Sequence, residues 1–160
     1  MKPEWDDYFI AMAFLVSARS SDPHEHKNGC VITDDQHRIL GVGYNGSIQG
    51  IDDSKIPGTR PEKYMWLVHA EQNAIMFSNG LLTGGTAYVT GPPCSTCAKM
   101  LAQKGISRIV YSAQECVCVH DNDFQATLNM LKMAGVSIES YKSPGILSLL
   151  EYTADRIKNL

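Results

Sequence analysis

Four residues of this 160-residue chain have the types and spacings for metal-assisted hydrolysis: His69, Glu71, Cys94 and Cys97. Zinc is usually held by tetrahedral donors, and a catalytic site reserves one position for water. Thiolates from Cys94 and Cys97 and a neutral imidazole from His69 would fill the other three positions and cancel the ion's formal charge. Zinc held this way lowers the pKa of its water toward neutrality. Glu71 stands two residues beyond His69, whereas neighbours on one helix face lie three or four apart, so it is misplaced as a further ligand. Its carboxylate suits the open position, where it can shuttle protons. No organic cofactor is required. A lone H-x-E is common by chance and a lone C-x-x-C could be a redox pair, but both in this order favour the hydrolytic reading.

These side chains need two helix starts to bring them together. Cys94 and Cys97 follow Pro92-Pro93, and the stretch to Gly105 reads as a helix. Both sulfurs then lie at a helix N-terminus, where the dipole favours thiolate over thiol. Ala70, Ala74, Ile75 and Phe77 mark a second helix, stopped at Asn79-Gly80. Earlier, residues 5–20 carry a helical rhythm ended before Pro23, and residues 30–33 and 38–44 form a hairpin across a turn at 34–37. Gly41 and Gly43 in the return strand signal close backbone approach or a bulge. Asn45-Gly46 opens a long polar loop to about Lys63, a length usually reserved for function or mobility. Strands at 86–90, 108–112 and 136–141 then alternate with helices, the last at 121–134. The alternation predicts an α/β fold, an α-β-α sandwich around a mixed sheet whose metal helices start beyond strand ends. Residues 142–160 read as a tail holding a short helix, and the whole chain as one domain.

Composition narrows the partners. A 44% hydrophobic content fills an ordinary core, and no run is long enough to span a bilayer. The acidic opening, residues 1–7, is unlike a signal or transit peptide, so we expect a cytoplasmic protein, in the host cytosol if viral. The net charge of −3 and the lack of a Lys/Arg cluster argue against a nucleic-acid partner and for a small nucleotide. Of five cysteines, Cys30, Cys116 and Cys118 are expected as free thiols in a reducing compartment. A metal shared by Cys116 and Cys118 is the alternative, as residues two apart on an extended segment share a face. His24 and His26 read as solvated loop residues or as metal or phosphate ligands. His37 reads as surface, and His120 as a pocket wall or a bystander to helix capping by Asp121. Lys27, Arg60 and Lys63 are candidate cations for a nucleotide phosphate.

HAEQNAI (69–75) with PCSTC (93–97) matches H-x-E…P-C-x-x-C, the signature of zinc-dependent deaminases. In that chemistry Glu71 takes a proton from the metal-activated water as C4 of a cytosine is attacked, protonates N3, and the amine leaves as ammonia. RS (19–20), GVGYNG (41–46), YVTGPPCSTCAKML (88–101), GISRIVYS (105–112) and MAGV (133–136) narrow the likeness. From about residue 5 to 144 the chain resembles the deoxycytidylate (dCMP) deaminases, a branch of the cytidine deaminase superfamily.

The resemblance implies a five-stranded core sheet with helices on both faces, Zn2+ at the two helix starts, and conversion of dCMP to dUMP for thymidylate synthesis. It implies that Asn45 contacts the sugar, the Ala70 backbone reads the cytosine O2, and Arg19 and Ser20 lie near the phosphate. It further implies a homohexamer regulated by dCTP and dTTP, with Mg2+, near Asn45 and Gly46. Two stretches depart from the branch: residues 115–121 lack the usual aromatic of a Tyr-His-Asp-type segment, and residues 24–27 (HEHK) occupy a loop that some members use for a structural zinc. Competing readings are a deaminase of deoxycytidine or dCTP, an editor of a flipped base in a polynucleotide, and a zinc-stabilised binding module without turnover.

Overall fold

The central strands alternate their side chains between two helical layers. A computed structural model of the chain describes residues 2–22, 26–113 and 121–159. In chain order the elements are α1 (Trp5–Ser17), β1 (Gly29–Thr33), β2 (Ile39–Tyr44), β3 (Gly46–Ser47), β4 (Leu67–Val68), α2 (Ala70–Met76), β5 (Thr86–Val89), α3 (Ser95–Gln103), β6 (Arg108–Ser112), α4 (Asp121–Met133), β7 (Ser137–Tyr141) and α5 (Pro144–Lys158). The main sheet runs β2-β1-β5-β6-β7, antiparallel across the first three strands and parallel across the last three. On one face Val31, Tyr88 and Val110 pack with Phe9, Ile10 and Ala13 of α1. On the other, Cys30, Ile32, Ala87, Val89 and Ile109 meet Ala70 and Ala74 of α2, Ala98 and Leu101 of α3, and Leu131 of α4. Residues adjacent in a strand point to opposite faces. The result is the expected three-layer α/β sandwich around a five-stranded mixed sheet. No helix among the described residues is long and apolar enough to cross a membrane.

Both readings of the glycine-rich return strand apply. The register between β1 and β2 shifts at Ile32/Thr33, which pair with Gly41 and Ile39 and leave Leu40 as the extra residue of a bulge. Close approach is the stronger effect. A Cβ on Gly43 would run into the Ala70 carbonyl and the Ala74 amide, and one on Gly41 into the Ala74 carbonyl. The helix that begins at the metal ligand therefore lies directly on β2, closer than any side chain permits. Gly43→Ala should cost about 2 kcal/mol or more, because backbone rather than a movable side chain must yield. It should also lower activity by shifting α2, a result checked by thermal unfolding alongside turnover.

Three expectations need revision. The first helix ends at Ser17, and residues 18–20 follow in tighter i→i−3 bonds. The polar loop contains structure: β3 and β4 pair as a two-residue ribbon, Gly46 with Val68 and Ser47 with Leu67, and short 3-10 turns occupy Asp53–Lys55 and Glu62–Met65. A two-residue ribbon is too short to leave a periodic signal.

The tail is a 15-residue helix rather than a short one, capped by Ser143 with Pro144 in its first turn. It docks on α1 through Ile146, which packs on the cluster of Phe9, Ile10 and Ala13, and the Asp7 carboxylate, held by the Tyr141 hydroxyl at 3.0 Å, stands at its positive end. Gly145 permits that approach, since a Cβ there would strike the Asp7 carboxylate. On the same side Arg108 grips both oxygens of Asp6, at 2.8 and 2.7 Å, and Glu139 at 3.0 Å, which ties α1 to β6 and β7.

Candidate active site

Each of the two helices opens on a candidate metal ligand. His69 occupies the N-cap of α2 and Cys94 the N-cap of α3, both with extended backbone, and Cys97 follows in the first turn of α3. Capping residues turn their side chains back across the helix end, so two helix starts facing each other converge three donors. His69 Nδ1 lies 3.6 Å from Cys94 Sγ and 3.4 Å from Cys97 Sγ, and all three donor atoms fall within 4.8 Å of one another. Donors at zinc–ligand distances of about 2.0–2.3 Å around a tetrahedral ion stand roughly 3.5–3.8 Å apart. The triangle fits zinc.

The electrostatics fit as well. Hydrogen bonding from Cys97, and then from the His69 ring, holds the Cys94 thiol down at about 4 despite partial burial. The Cys94 sulfur beside it, reinforced by burial, pushes Cys97 up. Two sulfurs sharing protons with an imidazole are a site where a divalent cation can take the protons' place. His69 is drawn toward its protonated form by Cys94, against the effect of its own burial.

Glu71, in the first turn of α2, is only 5% exposed. Burial pushes its carboxyl up, opposed by its own backbone N–H and by His69, and it also interacts with Cys97. A carboxyl raised toward neutrality next to a metal triangle can take up a proton and return it. Cys30 is wholly buried, and burial together with the Glu71 carboxylate pushes its thiol up, which makes it an inert packing group.

The remaining expected residues separate. Ala70 is buried, with its carbonyl against Gly43. The Asn45 side chain is buried and holds residues 26–28: Oδ1 accepts from the Asn28 N–H at 2.7 Å, and Nδ2 donates to the His26 carbonyl at 3.0 Å. Ser20 donates to the Asn45 carbonyl at 2.7 Å and accepts from the Asp22 N–H at 3.1 Å. Arg19 is exposed, and Gly46 is buried in β3. Of the three candidate cations for phosphate, Lys27 and Arg60 are exposed, whereas Lys63 is fully buried on Asp22. His37 is exposed as expected, but its ring stacks on Trp5 with centroids 4.4 Å apart. His24, Glu115, Cys116, Cys118 and His120 lie outside the described residues.

Sequence reasoning missed the residues that hold the site in place. Gln72 accepts from the His69 N–H at 2.9 Å, which fixes the backbone of His69 at the start of α2. Its position, three after the N-cap, is that of a capping-box glutamine, a pattern usually sought behind Ser or Thr rather than His. Asn73 donates to the Tyr44 carbonyl at 2.8 Å and ties α2 to the residue before Asn45. Asp123 of α4 accepts from the Ser95 N–H at 3.3 Å, at the first residue of α3. No local pattern announces the last two.

Residues 3–113, most of the chain and all four site residues, match the family model described as the cytidine and deoxycytidylate deaminase zinc-binding region. The chain belongs to the cytidine and deoxycytidylate deaminase family. Among relatives of this family, the human deoxycytidylate deaminase is 36% identical over 146 residues, covering 86% of this chain and 80% of that one. The deoxycytidylate deaminase of Mycobacterium phage D29 is 34% identical over 128 residues, 69% of this chain and 95% of that one. The crystal structure of the dCMP deaminase of cyanophage S-TIM5 in complex with dCMP and dUMP superposes with a TM-score of 0.67 at 26% identity, covering 88% of this chain and 99% of that one. The deaminase-family fold and a His/Cys/Cys cluster able to hold a metal ion are thus both present here.

Proposed function

We propose that the chain is a zinc-dependent dCMP deaminase, converting dCMP and water to dUMP and ammonia. The observation that carries this reading is the convergence of His69, Cys94 and Cys97 beside a buried Glu71, in a chain 36% identical to deoxycytidylate deaminases over most of its length. His69, Cys94 and Cys97 would hold the ion. When bound, zinc supplies a water of lowered pKa positioned for attack. Glu71 accepts the proton released as the cytosine C4 gains its oxygen and delivers it to ring N3; it then carries the C4 hydroxyl proton to the amino group, which leaves as ammonia as the C4 carbonyl forms. Its burial supports that role by excluding bulk water from the carboxyl.

The Ala70 backbone and Asn45 bind base and sugar in this reading, with Arg19 and Ser20 toward the phosphate. The resemblance of GVGYNG and RS to the dCMP branch supports these assignments. Regulation by dCTP and dTTP through Asn45 and Gly46, accompanying magnesium and a hexameric assembly rest on that resemblance alone.

Ammonia release should be measured on dCMP, dCTP, deoxycytidine and cytosine, with and without dCTP and dTTP as effectors. We expect kcat/KM on dCMP to exceed that on deoxycytidine by about 100-fold or more, because a site built for a charged phosphate leaves its donors unpaired without one. Equal turnover of the two would remove the monophosphate from the assignment.

A further inference from the structure

We propose that Lys63 is a positioning residue for the deamination site: it latches the segment between β3 and β4 onto Asp22, and through Asp22 it holds Asn45 in place. The proposal rests on the dCMP deaminase reading above. Lysine is almost never fully buried unless paired. The Lys63 side chain is 0% exposed, and its Nζ lies 2.8 Å from each oxygen of Asp22, itself 4% exposed. Such a pair adds little stability over apolar side chains of similar size, because desolvation offsets the attraction. Its use here is geometric.

Asp22 belongs to the network that surrounds Asn45. Its N–H donates to Ser20 Oγ, whose hydroxyl donates to the Asn45 carbonyl, and Asn45 Nδ2 stands 3.5 Å from Asp22 Oδ2. Asn45 is thus gripped through backbone and side chain from one side, and Lys63 closes that side from the loop opposite. The loop is pinned at its base by the ribbon of Gly46 with Val68, and farther along by Lys63. His69 has a separate anchor in Gln72. Loss of Lys63 should therefore disturb substrate binding and leave metal binding alone.

The test compares wild type with Lys63→Met and with the double variant Lys63→Met/Asp22→Leu. Zinc per chain, Tm, kcat and KM on dCMP, and amide hydrogen exchange over residues 46–68 are read for each. Lys63→Met should keep its zinc, unfold at lower temperature and exchange faster over 46–68. Its KM should rise about tenfold or more, with a smaller change in kcat. The double variant should recover Tm, since two apolar groups replace the pair, while KM stays raised because the Asp22 carboxylate that stands beside Asn45 Nδ2, and its tie to Lys63, are both gone. A purely structural pair would not separate Tm from KM in this way. A KM within about twofold of wild type in Lys63→Met, or one that returns with Tm in the double variant, overturns the proposal. Wild type inactive on dCMP would sink the deaminase reading instead, and exchange would still decide the latch: faster over 46–68 upholds it, and no change overturns it.

Discussion

Glu71→Gln is expected to retain its zinc and lose about 10²- to 10⁴-fold in kcat on dCMP, the range in which a positioned proton-transfer group contributes. The substitution preserves size in a site only 5% exposed, so neither a cavity nor a clash confuses the result. An amide can still accept the backbone N–H that the carboxylate accepts now, but it cannot carry a proton from water to ring nitrogen. KM should change little, because the missing interaction belongs to the transition state. Metal analysis and steady-state kinetics on one preparation check both halves. Turnover at the wild-type rate would leave Glu71 without the role assigned to it.

Cys94→Ala should lose both metal and activity, and stability with them. Removing the N-cap sulfur of α3 leaves His69 and Cys97 as a two-point site, and also removes the thiolate that those two groups stabilise. A ligand that binds only the folded state stabilises by about 4 kcal/mol when present at a thousand times its Kd. The variant should therefore unfold well below the zinc-loaded wild type and match wild type stripped by a strong chelator. Cys30→Ala is the control: that thiol is buried in the core rather than among the ligands, and its loss should leave zinc content unchanged. Zinc at wild-type stoichiometry in Cys94→Ala would mean that the triangle is not the metal site.

The two predictions differ in what supports them. The proposed metal ligands stand on the convergence of their donor atoms and on a family match that spans them. Glu71 stands on burial, on proximity and on the chemistry that a carboxyl can perform there. Separating zinc content from turnover tests each on its own terms.

The sequence by itself determined what is local. The candidate zinc ligands, the candidate proton shuttle and the helix starts are written in residue types a few positions apart: a His and a Glu two apart, a Cys pair three apart after prolines, a glycine ending the helix at 105. The hairpin, the alternating strands and hence the layered α/β fold were legible for the same reason, since periods of 2 and 3.6 residues survive in a linear chain. Tertiary structure decided whatever depends on excluding water and on pairing distant segments. It chose Nδ1 of His69 to face the sulfurs, turned Asn45 inward onto residues 26–28, and docked the tail helix on Asp7. It also took Lys63, read from the sequence as a candidate cation for the phosphate, and buried it on a carboxylate 41 residues away. A charge keeps its solvent until the fold removes it, and only coordinates show which charges have been removed and what replaced the water.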